Sequence, residues 1–168
     1  MDPVTHTLVG VGIGNAFFKR RYGPEAVTVL AWASNLPDID VLVLMLWDPA
    51  SITLRRSIGH SAILLPLWCL LLSFLFKHRY PERGFLGFFG LCLLGAFAHV
   101  FFDLINSFGV LLLWPFSLWR PEFALVFIID LILTAILAAP YFLAALPRWR
   151  PRLEYLCRLS LVSTAFYL

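Results

Sequence analysis

The chain has 168 residues, of which 61% are hydrophobic, 16% aromatic and only 14% charged, with a mean hydropathy of +0.85; a soluble domain carries about 25% charged residues. A domain of this size leaves about 30% of its unfolded-chain surface exposed. The surplus apolar area therefore needs lipid, and a freely soluble fold, disorder, collagen, a coiled coil and a disulfide scaffold are all excluded. The net charge of +3 is small and scattered, so no nucleic-acid partner is expected and the basic residues read as topology signals.

Met1-Asp2-Pro3 lacks the basic region and cleavage site of a secretory signal, so the first apolar run is read as retained. A bilayer-crossing helix needs ~20 mostly apolar residues. In chain order, residues 4–18 form a short, Gly-rich candidate, and residues 26–47 form a longer one interrupted by Asn35-Leu36-Pro37-Asp38-Ile39-Asp40. Residues 61–76 are dense in leucine, 84–104 carry His99 and Asp103 near their end, and 123–146 carry Asp130 near their start. Residues 108–119 are too short to cross and hold Pro115, so they read as a re-entrant or interfacial segment. Residues 153–168 begin a further helix and stop within it, as in a truncated piece of a longer protein. The expected fold is all-α: a polytopic transmembrane bundle of about five spans, with residues 1–152 as the transmembrane metal-site domain and 153–168 as the start of another helix.

Basic residues follow the first segment (Lys19, Arg20, Arg21), the third (Lys77, Arg79, Arg83) and the fifth (Arg148, Arg150, Arg152). The positive-inside rule makes these three loops cytoplasmic and predicts a multi-pass protein of the inner membrane with its N-terminus outside. His78 stands among such loop residues and reads as solvated. Cys69, Cys92 and Cys157 lie in apolar stretches without CxxC spacing and read as small buried hydrophobes.

Asp38, Asp40, Asp103 and Asp130 lie inside apolar segments. A mid-helix Asp costs about 2.5–3.5 kcal/mol to insert, so the set costs on the order of 10 kcal/mol unless something compensates. The spans hold no Lys or Arg, which leaves protonation or a bound cation. Histidine placement favours the cation. His6 opens the first segment, His60 precedes the third, and His99 stands one helical turn before Asp103, on the same face. With the topology above, His6, Asp38, Asp40, His60, His99, Asp103 and Asp130 all fall at one outer depth. Imidazole nitrogen with carboxylate oxygen suits a divalent metal, zinc first, with manganese or iron tolerated. The candidates exceed one tetrahedral shell, so either two or three ions share them with a carboxylate bridging, or some orient the imidazoles through hydrogen bonds; one to three ions are expected in all. Asp38 and Asp40 are also the candidate catalytic residues, one bridging or ligating and the other activating water or orienting a ligand.

Arg55, Arg56 and Arg120 lie on the outer side, where the positive-inside rule does not call for them. Guanidinium forks bind phosphate oxygens bidentately, which makes these three the candidate substrate-binding residues; the alternative is snorkelling to headgroups. Asn106 and Ser107 either bond to a ligating residue or simply cap the helix.

Taken together, Met1-Asp2-Pro3-Val4-Thr5-His6, Asn35-Leu36-Pro37-Asp38-Ile39-Asp40, Arg56 to Ser61, and His99-xxx-Asp103 with Asn106-Ser107-Phe108-Gly109 resemble the YdjM-type family, described as LexA-regulated membrane-bound metal-dependent hydrolases. The third motif departs from that family's His-Arg-Gly-x-Thr-His-Ser: Arg55, Ser57 and Gly59 replace its first His, its Gly and its Thr, while His60 and Ser61 remain. The family is in turn distantly similar to zinc-dependent phospholipase C. That similarity implies His6, Asp38 or Asp40, His60, His99 and Asp103 as ligands, and it offers no evident counterpart here for the N-terminal amine that the soluble enzymes use. The sequence thus predicts a membrane-embedded metal-dependent hydrolase, possessing zinc, that cleaves a phosphoester or lipid-linked substrate near the outer face. Its expected partners are membrane lipid and a phosphorylated small molecule or lipid. The alternative is an ion- or proton-coupled transporter using the intramembrane Asp residues.

Overall fold

The computed structural model describes residues 1–41 and 56–168. Arg55 and the end of the second apolar segment lie outside the described residues. All the named regular elements are helical. Asp2 starts α1 (Pro3–Ile13) as an N-cap, its Oδ1 accepting from Thr5 N at 3.0 Å, with Pro3 pre-set for the first turn. The chain stays helical through a π-turn at Gly14–Phe18 and a last turn at Lys19–Tyr22, then reverses at Gly23 with φ +80°. The first apolar segment is therefore longer as a helix than its apolar run suggests.

Helix α2 (Glu25–Ala33) ends early, because Ser34 and Asn35 lead into a 3₁₀ turn at Leu36–Asp38. Asn35 Nδ2 donates to Thr7 Oγ1 and to Ala31 O, both at 2.9 Å, which ties this break to α1. Helices α3 (Leu65–Arg79) and α4 (Phe85–Leu104) are followed by an irregular connection, then by α5 (Leu131–Ala144) and α6 (Leu153–Tyr167). Helix α4 packs on α2 and α3, α1 on α2, and α5 on α6. Cys69, Cys92 and Cys157 are buried, as expected.

Two glycines bring α1, α2 and α4 together. A methyl at Gly10 would collide with Leu30 O and Ser34 Oγ, and one at Gly95 would sit 2.7 Å from Ala33 Cβ. Both therefore permit backbone approach to the same end of α2. Gly10 lies one turn after His6 and Gly95 one turn before His99, so the close packing converges on the histidines.

Among the described residues, only α4, with 20 residues, is by itself long and apolar enough to cross a bilayer; α5 is apolar but shorter. The expected third span starts as a helix only at Leu65, because the stretch through His60 and Ser61 is turned. The fifth begins at Leu131, with Asp130 as N-cap accepting from Leu133 N at 2.9 Å. Asp130 is thus at a helix start and not inside the expected span, since a carboxylate satisfies orphan N–H groups there. Large apolar side chains, including Phe74, Leu75, Leu86 and Phe142, cover the outside of the helices.

Candidate metal centre

Asp38, His60, His99 and Asp103 converge so that one ligand atom from each lies within 4.8 Å of all the others. His99 and Asp103 come from the last turns of α4, Asp38 from the 3₁₀ turn after α2, and His60 from the turn before α3. His60, His99 and Asp103 are buried, whereas the side chain of Asp38 is 28% exposed.

Hydrogen bonds fix the two ring orientations. His99 Nδ1 lies 2.7 Å from Ser34 O, a carbonyl that can only accept, so Nδ1 carries the proton. His60 Nδ1 lies 2.9 Å from Asp40 Oδ2, which in its carboxylate form also holds a proton on Nδ1. Both Nε2 atoms are then left with lone pairs, yet they face one another at 3.0 Å. Around them stand Asp103 Oδ2, at 3.2 and 3.5 Å, and Asp38 Oδ1, at 3.8 and 3.7 Å. Lone pairs and carboxylates aimed at one point call for a cation between them.

His6 adjoins the cluster. Its ring stacks on His99 with centroids 3.6 Å apart, Nε2 is 3.3 Å from Asp103 Oδ1, and neither buried ring nitrogen has a hydrogen-bond partner among the described residues. These orphaned nitrogens fit a divalent metal, and the donor set of imidazoles and carboxylates suits it chemically. Asp40 stands behind the cluster: its Oδ1 accepts from Gly59 N and its Oδ2 orients His60. A Cβ at Gly59 would press on Pro37 O and Asp40, so only glycine lets the turn close here.

Arg56 joins through Asp103, with Nε 3.1 Å from Oδ2. It is a non-glycine residue in the left-handed region, φ 61°, and its carbonyl accepts from Leu111 N at 3.0 Å. Its guanidinium lies 5.6 Å from the Phe108 ring centroid, and Nη1 is buried without a hydrogen-bond partner among the described residues. The connection after α4 braces the same turn, because Ala62 N donates to Leu112 O at 2.9 Å and Ser61 Oγ to Trp114 O at 2.6 Å. Asn106 contributes from outside the cluster: its Oδ1 accepts from Phe108 N at 2.9 Å, forming a turn, while Ser107 Oγ donates to Val126 O at 3.3 Å.

The structure therefore brings together His6, Asp38, His60, His99 and Asp103, with Asp40 and Arg56 in direct support. Arg120 lines the cavity beside them and donates to Phe108 O at 3.5 Å. Asp130 is not brought in: besides capping α5, it accepts from Tyr167 Oη at 3.2 and 3.0 Å. Sequence reasoning missed Ser34, whose carbonyl anchors His99. It also saw no amine for the cluster, whereas the Met1 amine is buried against Asp103 Oδ1. Burial, then Arg56, holds that amine down to about 5, and the same pair of causes places the His60 imidazole well below its usual range.

A family model described as YdjM inner membrane protein matches residues 1–168. The uncharacterized protein YfhP of Bacillus subtilis (strain 168) is 29% identical over 124 residues, which is 70% of this chain and 38% of YfhP. The chain thus spans well under half the length of that curated relative. No solved structure matches.

Proposed function

The chain belongs to the YdjM inner membrane protein family, and on that premise we propose that it is a multi-pass, metal-dependent hydrolase cleaving a phosphoester near the extracytoplasmic face, with zinc as its metal. The observation that carries this reading is the pair of Nε2 atoms 3.0 Å apart, each with its Nδ1 committed elsewhere. Asp38, His60, His99 and Asp103 would hold the ion, with His6 alongside. A bound divalent cation supplies Lewis acidity, polarising a phosphoryl oxygen and acidifying water.

The protein's own groups supply the rest. Asp38 is the cluster carboxylate that opens to the cavity, so it is positioned to take a proton from the attacking water. Asp40 acts through His60, holding its ring and tautomer. Arg56, whose Nε keeps to Asp103, lines the cavity as a guanidinium for phosphate oxygens, and Arg120 adds positive charge on the same cavity. The basic residues that follow α1 and α5 and end α3 favour the cytoplasmic side, which leaves the cluster outside.

Metal analysis and a phosphoester screen on detergent-purified protein test the reading together. Stoichiometric zinc, lost along with phosphoesterase activity in His99→Ala, is the expected result. An active protein without metal rejects it, and ion flux in liposomes without hydrolysis would restore the transporter reading.

A further inference from the structure

Two cavities meet at the cluster, sharing Pro3 and Asp38 as walls. The larger, about 560 Å³, holds the Arg56, Arg120, His60 and Asp40 side of the site. The smaller, about 300 Å³, is lined by Trp32, Leu36, Ile39 and Leu72, with Asn35 as a polar neighbour of Asp38. Asn35 turns its Nδ2 away to Thr7 and Ala31, so the small cavity is apolar in character. It lies between α2 and α3 and opens beside Trp32, a 65% exposed ring on the outside of the helices.

We propose that the small cavity seats the hydrocarbon of a long-chain phosphate monoester, while its phosphate lies against Arg56 in the large cavity. This rests on the hydrolase reading and names its substrate class. Arg56 and Arg120 line only the larger cavity, together with the apolar Val41, Phe108 and Ile128, whereas among the described residues no charged group other than Asp38 lines the smaller one. The two together offer an amphiphile's head and tail different surroundings. Arg56 lines the head side, and its Nη1 is buried without a hydrogen-bond partner among the described residues, a cost that a phosphate drawn against the guanidinium would relieve. The ester bond falls where the cavities join, next to Asp38. Water adds to phosphorus as the P–O bond to the long-chain alcohol breaks; the departing alkoxide takes up a proton, giving the free alcohol and inorganic phosphate. A chain entering beside Trp32 reaches the site without leaving the bilayer, and each buried methylene contributes affinity of about fourfold.

Two measurements on the purified full chain test this. In the first, kcat/KM for hexadecyl phosphate is divided by that for butyl phosphate. The ratio should fall at least about tenfold when Leu72→Trp fills the cavity, on the scale of two or more methylenes excluded. A ratio within about twofold of wild type would overturn the proposal. In the second, stearyl phosphate brominated at mid-chain should quench tryptophan emission in wild type and lose most of that quenching in Trp32→Phe. Equal quenching in both proteins overturns the tail assignment, and equal quenching by the brominated alcohol overturns the phosphate anchor. Should wild type hydrolyse neither phosphate, the hydrolase reading fails alone, because the quenching experiment still decides where the chain sits.

Discussion

The two ends of the helix bundle carry similar charged groups to opposite effect. Where the turn at Lys19–Tyr22 ends and α2, α4 and α6 begin, Arg20 pairs with Glu154 at 2.6 Å and Arg83 with Glu25 at 3.6 Å, with the arginines 84% and 40% exposed. Roughly 20 Å away along α4, Asp103, His99, His60 and His6 are buried almost completely. Solvated pairs contribute little and can be rearranged freely. Buried groups have no such freedom, so every nitrogen and oxygen at that end has to be oriented by a neighbour. The basic end is solvated; the other is buried and gathers the candidate metal ligands.

Removing Asp103 should break this contrast most severely. Asp103→Ala leaves Arg56 Nε and the imidazoles without their common carboxylate, and a broken buried pair costs about 3–5 kcal/mol. The expected outcome is loss of bound metal together with a lower unfolding midpoint, measured by metal analysis and thermal melts. Wild-type stability in this variant would mean the cluster is not held as described. Next in size is Gly95→Ala, which forces a methyl against Ala33; overpacking of this kind costs about 1–3 kcal/mol and should also weaken metal binding through displacement of His99. Asp40→Asn removes only the orienting carboxylate behind His60, so metal affinity should fall about 10–100-fold without being abolished. Competition against a chelator of known affinity measures that difference.

Acidity sharpens the comparison further. The folded state holds the His60 imidazole well below the ordinary value of 6.5, so the unfolded chain binds its proton first. Stability from this group is present in full above 6.5 and declines as pH falls below it, by at most about 1.4 kcal/mol per pH unit. Melts of metal-free protein across that range should show the decline, and His60→Gln should flatten it. The smallest effect belongs to the other end. Arg20→Ala should change stability by under about 1 kcal/mol, because that arginine is mostly solvated.

Much of the site was legible because its residue types are costly in an apolar chain. His99 and Asp103 share a helix face by spacing alone, and His6, His60 and Asp38 announce themselves as polar residues at segment ends. What spacing hides is which atom each group turns inward. Asp40 looked equivalent to Asp38, yet it faces the back of His60, since two residues along a turn point different ways. Asp130 looked buried because the apolar run begins before it, but an apolar run does not mark where helical hydrogen bonding starts. Ser34 carries no sequence signal, because it acts through its backbone carbonyl. The all-helical character was legible from composition, whereas the lengths of individual helices depended on Asn35, Pro37 and the turn at His60 in ways that hydropathy averages over.

Gly10 and Gly95 each stand one turn from a histidine on helices that clasp the same stretch of α2. Interhelical distance and imidazole spacing are consequently a single variable. A bulkier core would splay the rings apart, so the volume permitted to the surrounding interior is tied to the spacing of the candidate ligands as well as to folding.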